Sequence, residues 1–252
     1  MNGKIAFLTN ALEYVGPAAG GALAEDGWTV FCHDDDFVSP DARSRFEQAN
    51  PQHFASAATD ATSFVEEGLQ RYGRIECLIS NEIPKNISSS LNISDLNNVD
   101  DLFADVEAYV DSLLIEPVRL LRVVCPAMKA AGTGSIILIT SGAPLRNPVM
   151  RLPHGYLAGR AGANALVKGL SVELAPFGIQ VNAVAPFFAY SRNGFPPPLG
   201  VDDPQVVAIV NSLVPAQRIG RWDEMAALFK LLASGEAGFI SGQLIAFSGA
   251  GC

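Results

Sequence analysis

Apolar segments of strand length alternate with amphipathic segments of helix length along the whole of this 252-residue chain. No shift in composition marks a linker, and no segment repeats another. Strands that alternate with helices favour a parallel sheet whose strands are joined by right-handed crossovers. We therefore expect an α/β protein with a single doubly wound, Rossmann-like domain over residues 1–252. Its parallel sheet would have about seven strands, with helices on both faces.

The boundaries of these elements follow from the hydrophobic pattern. Strands are expected at residues 4–9, 28–32, 53–56, 75–80, 135–140, 180–184 and 244–248. Helices are expected at residues 17–26, 40–50, 59–72, 99–131, 156–177, 203–213 and 223–234. Residues 86–98 and 185–198 are predicted to be loops because they are rich in Ser and Asn or in Phe and Pro. Pro117 is expected to bend the long helix in which it lies.

Composition narrows the classes of function. Hydrophobic residues make up 49% of the chain, which indicates a well-buried globule and allows for subunit interfaces. A net charge of −9 argues against nucleic acid or an anionic membrane as partner. No apolar run approaches the roughly 20 residues of a membrane span, and the first residues lack the pattern of a signal peptide. Four well-separated cysteines without metal-binding spacing predict reduced thiols in a cytoplasmic protein (Cys32, Cys77, Cys125 and Cys252).

One stretch of the chain carries candidate chemistry. Ser141 directly follows the apolar run 135–140, which is typical of a buried parallel strand. Tyr156 and Arg160 lie four residues apart, so both side chains project from one face of a helix. Open α/β sheets bind ligands at the carboxyl ends of their strands, and we therefore expect the active site here.

A serine followed by Tyr-x-x-x-Lys is the catalytic signature of the short-chain dehydrogenase/reductases, and this chain resembles that family. The resemblance extends over the whole chain through the stretches GIQVNAVAP (178–186), RIGR (218–221), SGQ (241–243) and SG (248–249). The chain departs from the signature at Arg160, where the family has lysine. It departs again after Ser80 and Asn81, where Glu82 stands in a segment that is Asn-Asn-Ala-Gly in the family.

The first loop departs from the family as well. Short-chain dehydrogenases typically carry T-G-x-x-x-G-x-G there, and the glycines let the main chain approach the cofactor's pyrophosphate. In TNALEYVG (9–16) only Gly16 remains, while Asn10 and Tyr14 replace the other two glycines. Tyr14 would add bulk where the pyrophosphate should pass. The alternative is an atypical loop that still binds NAD(P). Asp34, after the second strand, could hydrogen-bond a ribose in an ordinary member of the family; without the glycines it is expected to cap a helix or lie at the surface.

With these three departures together, the chain resembles the halohydrin dehalogenases. These enzymes are related to the short-chain dehydrogenases but use no nucleotide cofactor. The resemblance implies that Tyr156 removes the proton of the substrate hydroxyl and that Arg160 lowers the pKa of the phenol from its usual value near ~10. It implies that Ser141 orients the substrate oxygen, with Thr140 as a lesser alternative. Glu82 is expected to hold Arg160 through its carboxylate, or else to be an exposed loop acid. His154 is interpreted as a loop histidine.

The resemblance also implies a pocket for the leaving halide. A desolvated anion needs hydrogen-bond donors, and we expect them in the loop after residue 184. The amides of Phe188 and Ala189 are the predicted donors, with Tyr14 and Pro186 as walls. Phe187 belongs to the same pocket and stands where related proteins often have asparagine. The alternative for each of these residues is ordinary core packing.

The expected function is cofactor-independent conversion of vicinal halohydrins to epoxides with halide release. The reverse reaction would open epoxides with small anions such as azide, cyanide, nitrite or halide. The partners would be a halohydrin or epoxide and a small anion, with no cofactor and no metal, in a homo-oligomer (dimer or tetramer). Two alternatives stay open: an NAD(P)-dependent dehydrogenase with a degenerate loop, and a non-catalytic binding protein of the same fold.

Overall fold

A sheet of seven parallel strands forms the centre of the protein, in the order β3-β2-β1-β4-β5-β6-β7. The computed structural model describes residues 3–84, 99–146, 152–189 and 203–252, without the side chains of residues 99–101. Helices cover both faces of the sheet, so the predicted Rossmann-like α/β fold is confirmed. The predicted loop 86–98 and most of the predicted loop 185–198 lie outside the described residues.

The strands lie close to where the hydrophobic pattern predicts them. They are β1 (Ile5–Leu8), β2 (Thr29–Cys32), β3 (His53–Ala55), β4 (Cys77–Ser80), β5 (Gly134–Ile139), β6 (Ile179–Pro186) and β7 (Leu244–Phe247). β6 continues two residues beyond its predicted end because Ala185 and Pro186 pair with Ala246 and Phe247 of β7. The extension carries the chain directly from the sheet into the predicted halide loop.

The helices also follow the prediction, with small shifts at their ends. They are α1 (Gly16–Glu25), α2 (Pro40–Ala49), α3 (Ala61–Tyr72), α4 (Val99–Val110), α5 (Glu116–Ala131), α6 (His154–Leu174), α7 (Pro204–Leu213) and α8 (Trp222–Ser234). Short 3₁₀ turns occupy Asp35–Val38, Ala143–Leu145 and Ala175–Phe177. His154 is therefore the first residue of α6 and not a loop residue, since the helix begins two residues before Tyr156.

The predicted bend at Pro117 takes the form of a turn of π-helix. Residues Asp111–Ile115 form this turn between α4 and α5, and the N–H of Glu116 donates to the carbonyl of Asp111, five residues earlier. Proline cannot donate the hydrogen bond that would continue an α-helix, so the ladder widens just before Pro117. The long helix at 99–131 thus exists as two α-helical segments with one irregular turn between them.

Two apolar clusters hold the helices against the two faces of the sheet. Successive side chains of a strand point to opposite faces, and Leu8 and Phe7 accordingly belong to different clusters. On one face Phe7, Phe31 and Phe64 are fully buried, with Phe31 stacked on Phe64 at a centroid distance of 5.1 Å. In the ranges that the structure describes, none of the helices is both long enough and apolar enough to cross a membrane. All four cysteines are free thiols.

Candidate active site

Three polar side chains line one face of α6, and two of them, Arg160 and Asn164, contact residues at the carboxyl ends of β4 and β5. Tyr156, Arg160 and Asn164 follow each other at four-residue intervals, which aligns them along the helix. Arg160 is only 2% exposed; its Nη1 donates to the carbonyl of Ile139 at 2.7 Å, and its Nη2 donates to the carbonyl of Glu82 at 3.0 Å. The guanidinium is therefore fixed between the segments that follow two neighbouring strands.

The contact between Arg160 and Glu82 differs from the one predicted. Arg160 binds the main-chain carbonyl of Glu82, whereas the Glu82 carboxylate accepts hydrogen bonds from Thr9 (2.6 Å) and Asn10 (3.0 Å). Glu82 is 4% exposed, so it is not a surface acid either. The contact differs because the Glu82 side chain points toward β1, whereas its main-chain carbonyl points toward α6. A sequence identifies the acid but not the direction in which its side chain points.

Two tyrosine rings flank the Arg160 guanidinium. Its Cζ lies 5.5 Å from the centroid of the Tyr156 ring and 5.8 Å from that of Tyr14, both within the range of a cation–π interaction. Tyr109 meets Tyr156 edge-on at 6.1 Å. Burial raises the pKa of the Tyr14 phenol well above its usual value, and nearby Tyr156 adds to the rise while Arg160 opposes it. Tyr14 therefore remains a neutral phenol at physiological pH.

Ser141 lies at the end of β5, where the sequence predicts it, and is 3% exposed. Its Oγ accepts the N–H of Ala143 at 3.0 Å, and its carbonyl accepts Asn164 Nδ2 at 3.4 Å. The hydroxyl keeps its proton available for a further acceptor, because the Ala143 contact uses only a lone pair. Thr140 points elsewhere: its hydroxyl donates to the carbonyl of Val184 within the sheet at 3.5 Å. Of the two residues, Ser141 is thus the one whose main chain contacts α6 and whose hydroxyl is held by the turn that follows it.

Main-chain N–H groups of the loop between β1 and α1 donate to acceptors in the loop itself and in the segment after β2. Asn10 and Tyr14, which replace the family's glycines, have left-handed φ values of +45° and +48°. This conformation strains a tyrosine, since glycine adopts it far more easily. Four N–H groups of the loop have protein acceptors: Ala11 with His33 O (3.0 Å), Leu12 with Asp34 Oδ2 (2.9 Å), Glu13 with Asn10 O (3.1 Å) and Gly16 with Glu13 O (2.8 Å).

Side chains then join this loop to the segment after β4. Asn10 Nδ2 donates to the Asn81 carbonyl at 3.0 Å, and Asn81 Nδ2 donates to the carbonyls of Asn10 and Glu13, each at 2.9 Å. Thr9 Oγ1 accepts the Asn81 N–H at 2.9 Å while it donates to Glu82. A pyrophosphate needs free main-chain donors at this point. Residues arranged in this way do not fit that group.

Asp34 follows β2 and caps the 3₁₀ turn Asp35–Val38. Its Oδ1 accepts the N–H of Asp36 at 3.2 Å, and its Oδ2 accepts the N–H of Leu12. Capping was one of the two predicted roles; the other, a surface position, is wrong, because Asp34 is 4% exposed. Burial raises the pKa of this carboxyl, partly offset by the two hydrogen bonds it accepts.

The predicted halide loop adjoins Ser141. The carbonyl of Pro186 accepts the N–H of Gly142 at 3.0 Å, and the Phe187 N–H donates to Phe247 at 3.0 Å. Phe188 has a left-handed φ of +51°, and its ring meets Phe187 edge-on at 4.6 Å. Ala189 is 5% exposed and belongs to the apolar cluster against which Tyr14 packs. The structure therefore brings the loop, Ser141 and Tyr14 to the same end of the sheet.

Sequence reasoning missed Asn164 and the bonding role of Asn81. Asn164 is 5% exposed although asparagine is usually a surface residue in helices. Its four-residue spacing from Arg160 was the one available signal. No group of three His, Cys, Asp or Glu side chains that could bind a metal ion occurs in the part of the chain described.

Comparison with known proteins identifies the family. A family model described as enoyl-(acyl carrier protein) reductase matches residues 15–249. The chain belongs to the short-chain dehydrogenase/reductase family. Its relatives include 3-oxoacyl-(acyl-carrier-protein) reductase of Thermotoga maritima, 26% identical over 99% of this chain and 98% of the relative. They also include 7alpha-hydroxysteroid dehydrogenase of Clostridium sardiniense, 24% identical over 97% of this chain and 91% of the relative.

Two solved structures within this short-chain dehydrogenase/reductase fold are similar along nearly their whole length. A protein described as a dehalogenation enzyme has a TM-score of 0.88 and 29% identity, covering 99% of this chain and 98% of its own. A halohydrin dehalogenase bound to ethyl (2S)-oxiran-2-ylacetate has a TM-score of 0.85 and 29% identity, covering 98% and 96%. A complex of Pseudomonas aeruginosa RhlG with NADP, at 22% identity and a TM-score of 0.79, shares the fold.

Proposed function

We propose that this protein is a halohydrin dehalogenase: a lyase that closes vicinal halohydrins to epoxides and releases halide without a nucleotide cofactor. The observation that carries the proposal is the β1–α1 loop, in which four N–H groups donate to protein acceptors and Asn10 and Tyr14 stand in place of two glycines. A hydride-transferring relative needs those groups for its cofactor. The likeness to the two dehalogenases supports the same conclusion.

In the proposed reaction Tyr156 is the base. It takes the proton of the substrate hydroxyl, the alkoxide oxygen forms a bond to the neighbouring carbon, and the carbon–halogen bond breaks with its electron pair leaving on the halide. The guanidinium of Arg160, whose Cζ lies 5.5 Å from the centroid of the Tyr156 ring, supplies the positive charge beside the base. Ser141 donates a hydrogen bond to the substrate oxygen and orients it for attack on the neighbouring carbon.

The support for Arg160 in this scheme comes from the main chain. Carbonyls of Ile139 and Glu82 hold the two Nη atoms, and the rings of Tyr14 and Tyr156 lie within cation–π distance of the guanidinium. Carbonyls and aromatic rings stabilise the cation. We propose that Glu82 acts as a supporting residue, holding the β1–α1 loop with its carboxylate and Arg160 with its carbonyl.

The released halide would bind at the loop Pro186–Ala189, with Tyr14 and Pro186 as walls beside Phe187. A left-handed residue such as Phe188 is the local geometry from which main-chain anion-binding concavities are built, and the proposed donors are the amides of Phe188 and Ala189. No side chain specific for chlorine belongs to this set. Azide, cyanide and nitrite would therefore enter the same pocket and open epoxides in the reverse direction.

The second candidate function is an NAD(P)-dependent reductase. The observation that favours it is the match of the whole chain to reductases, including the 3-oxoacyl-(acyl-carrier-protein) reductase above. It requires the β1–α1 loop to open and Tyr14 to leave its position beside Arg160. A non-catalytic member of the fold would have no need for the Tyr156–Arg160 pair that is assembled here.

We further propose that the chain is one domain that self-associates into a dimer or tetramer in the cytoplasm. Two large apolar side chains on α4 and α6 support this, since Phe103 is 70% exposed and Val172 is 77% exposed.

Epoxide opening by azide tests the proposed pocket. A terminal epoxide should be consumed faster with enzyme and azide than in buffer, without any nucleotide, and bromide should inhibit by competition. Ala189→Leu should raise the KM for azide more than the KM for the epoxide, because bulk is added on the anion side. Ala58→Leu, at a half-buried alanine that packs against the other apolar cluster, is the matched control. If the enzyme consumed the epoxide at the same rate with and without azide, the assignment of the anion pocket would be contradicted.

A further inference from the structure

The segment after β7 folds back onto the Ser141 end of the sheet. Gly251 is buried, and a β-carbon added to it would lie 2.7 Å from the Phe187 ring. A β-carbon added to Gly142 would lie 2.6 Å from Cys252 Sγ and 3.0 Å from Phe187 Cβ. The residues Gly251 and Cys252 therefore fill the space between the residue that follows Ser141 and the first aromatic side chain of the halide loop.

The side chain of Arg146 binds the segment after β7. Its Nη1 donates to the carbonyl of Gly251 and, at 3.5 Å, to the carbonyl of Leu213 at the end of α7. Its Cζ also lies 5.6 Å from the centroid of the Phe187 ring. A cation at the carboxyl end of a helix is favourable because the last carbonyls carry partial negative charge. One half-buried guanidinium thus joins the segment after β7, the end of α7 and the halide loop.

Apart from Arg146, the Ala216 N–H ties the segment to the chain after α7 by donating to the Gly249 carbonyl at 3.0 Å. Two further contacts lie closer to the end of the segment. Gly251 N–H donates to the Ser248 carbonyl at 2.9 Å, and Ser248 Oγ contacts the Cys252 carbonyl at 3.4 Å, so both bonds stay within the segment. Ala250 has a left-handed φ of +66°, which L-residues rarely adopt unless neighbouring contacts hold it. Cys252 is exposed, and its Sγ lies beside Gly142, the residue that follows Ser141.

We propose that Arg146 is a positioning residue, which holds Phe187 and residues 248–252 as one wall of the substrate pocket beside Ser141. Side-chain volume at position 252 then limits the size of the substituent that a halohydrin can carry. The inference rests on the proposed function, because it assigns a wall to the same site. Lysine cannot replace Arg146 fully, since its ammonium lacks the planar guanidinium that can stack on an aromatic ring while it binds carbonyls.

Substrate size provides the first test. For Cys252→Trp we expect the ratio of kcat/KM for a bulky aryl halohydrin to that for a three-carbon halohydrin to fall about tenfold, the usual effect of added volume in a pocket. Cys252→Ala should raise the same ratio. Cys125→Trp is unsuitable as control because Cys125 is half-buried in a helix, so the exposed Arg122→Trp serves instead. An unchanged ratio in Cys252→Trp would contradict the proposal that position 252 forms part of the pocket wall.

The second test concerns Arg146 and has a readout that does not need turnover. Arg146→Ala should speed amide hydrogen exchange in the peptide that contains Gly251 and Cys252 about tenfold or more, while Arg122→Ala leaves it unchanged. In kinetics Arg146→Ala should raise KM for halohydrin and anion more than it lowers kcat, with partial rescue in Arg146→Lys. Unchanged exchange would overturn the positioning role. Absence of halide release from the wild type would instead refute the proposed function, while exchange would still decide whether Arg146 holds the segment.

Discussion

Asn10 and Asn81 exchange hydrogen bonds: each side-chain amide donates to the other residue's carbonyl, at 3.0 and 2.9 Å. Both residues are almost completely buried, at 2% and 0% exposure. The pair joins the β1–α1 loop to the segment after β4, across the crevice in which related folds bind dinucleotides. Breaking one partner leaves a buried polar group unsatisfied, which costs about 1–3 kcal/mol. The hydrogen bonds between Asn10 and Asn81 therefore stabilise the closed conformation of the loop.

The first prediction is that NADH and NADPH do not bind with useful affinity. Four N–H groups of the loop already donate to protein acceptors, and Tyr14 occupies the position of a glycine. Isothermal titration calorimetry of the wild type should show no saturable binding at micromolar concentrations. A nucleotide-binding reductase of the same family, titrated in parallel, is the positive control. Saturable heat in this protein would favour the reductase alternative.

The second prediction is that Tyr156→Phe lowers halohydrin turnover at least about 100-fold, the usual contribution of a general base. Thermal unfolding and circular dichroism should stay close to wild type, because the ring and its contact with Arg160 remain. Tyr72→Phe is the matched control, since the Tyr72 hydroxyl is buried without a hydrogen-bond partner among the described residues. Retention of most activity in Tyr156→Phe would mean that another group is the base.

The third prediction is that Arg160→Lys is not conservative. A lysine cannot span the carbonyls of Ile139 and Glu82 that the two Nη atoms bind, so one buried carbonyl loses its donor. We expect a loss of about 1–3 kcal/mol in the free energy of unfolding, measured by urea titration, together with a loss of turnover of at least tenfold. Arg122→Lys, the same exchange at an exposed position, should change neither quantity. A variant with wild-type stability would show that these contacts contribute little.

The sequence was sufficient for the fold because hydrophobic periodicity reports burial directly, as the seven strands illustrate. It also located Ser141, Tyr156 and Arg160 near one end of the sheet, since strand ends and helix faces follow from spacing. It failed where the outcome depends on side-chain direction. Glu82 turns its carboxylate to Thr9 and Asn10 instead of Arg160, and Arg146 reaches Gly251 from a distant part of the chain. Such contacts depend on tertiary packing, which no local pattern encodes.

The fourth prediction concerns pH and His53. Burial lowers the pKa of this imidazole, and its Nδ1 has no partner within the described residues. As pH falls below about 6.5, an unfolded histidine takes up a proton that the folded protein resists, so the unfolded state binds more protons. The free energy of unfolding should therefore decrease with falling pH in this range.

Urea titrations between pH 7 and 5 measure the slope of the free energy of unfolding against pH. His53→Gln should reduce the dependence of the free energy of unfolding on pH by the equivalent of up to one proton. Equal slopes in wild type and His53→Gln would show that His53 does not carry the effect.

Halide release is the measurement that tests the proposed function most directly. The purified wild type, freed of nucleotide by dialysis and charcoal treatment, is mixed with a simple bromohydrin, and bromide and epoxide are quantified together. We predict that both appear in equal amounts with many turnovers per enzyme molecule, that added NAD(P)H changes nothing, and that Tyr156→Phe is nearly inactive. No bromide above the buffer rate, combined with NADPH oxidation in the presence of a ketone substrate, would contradict the account.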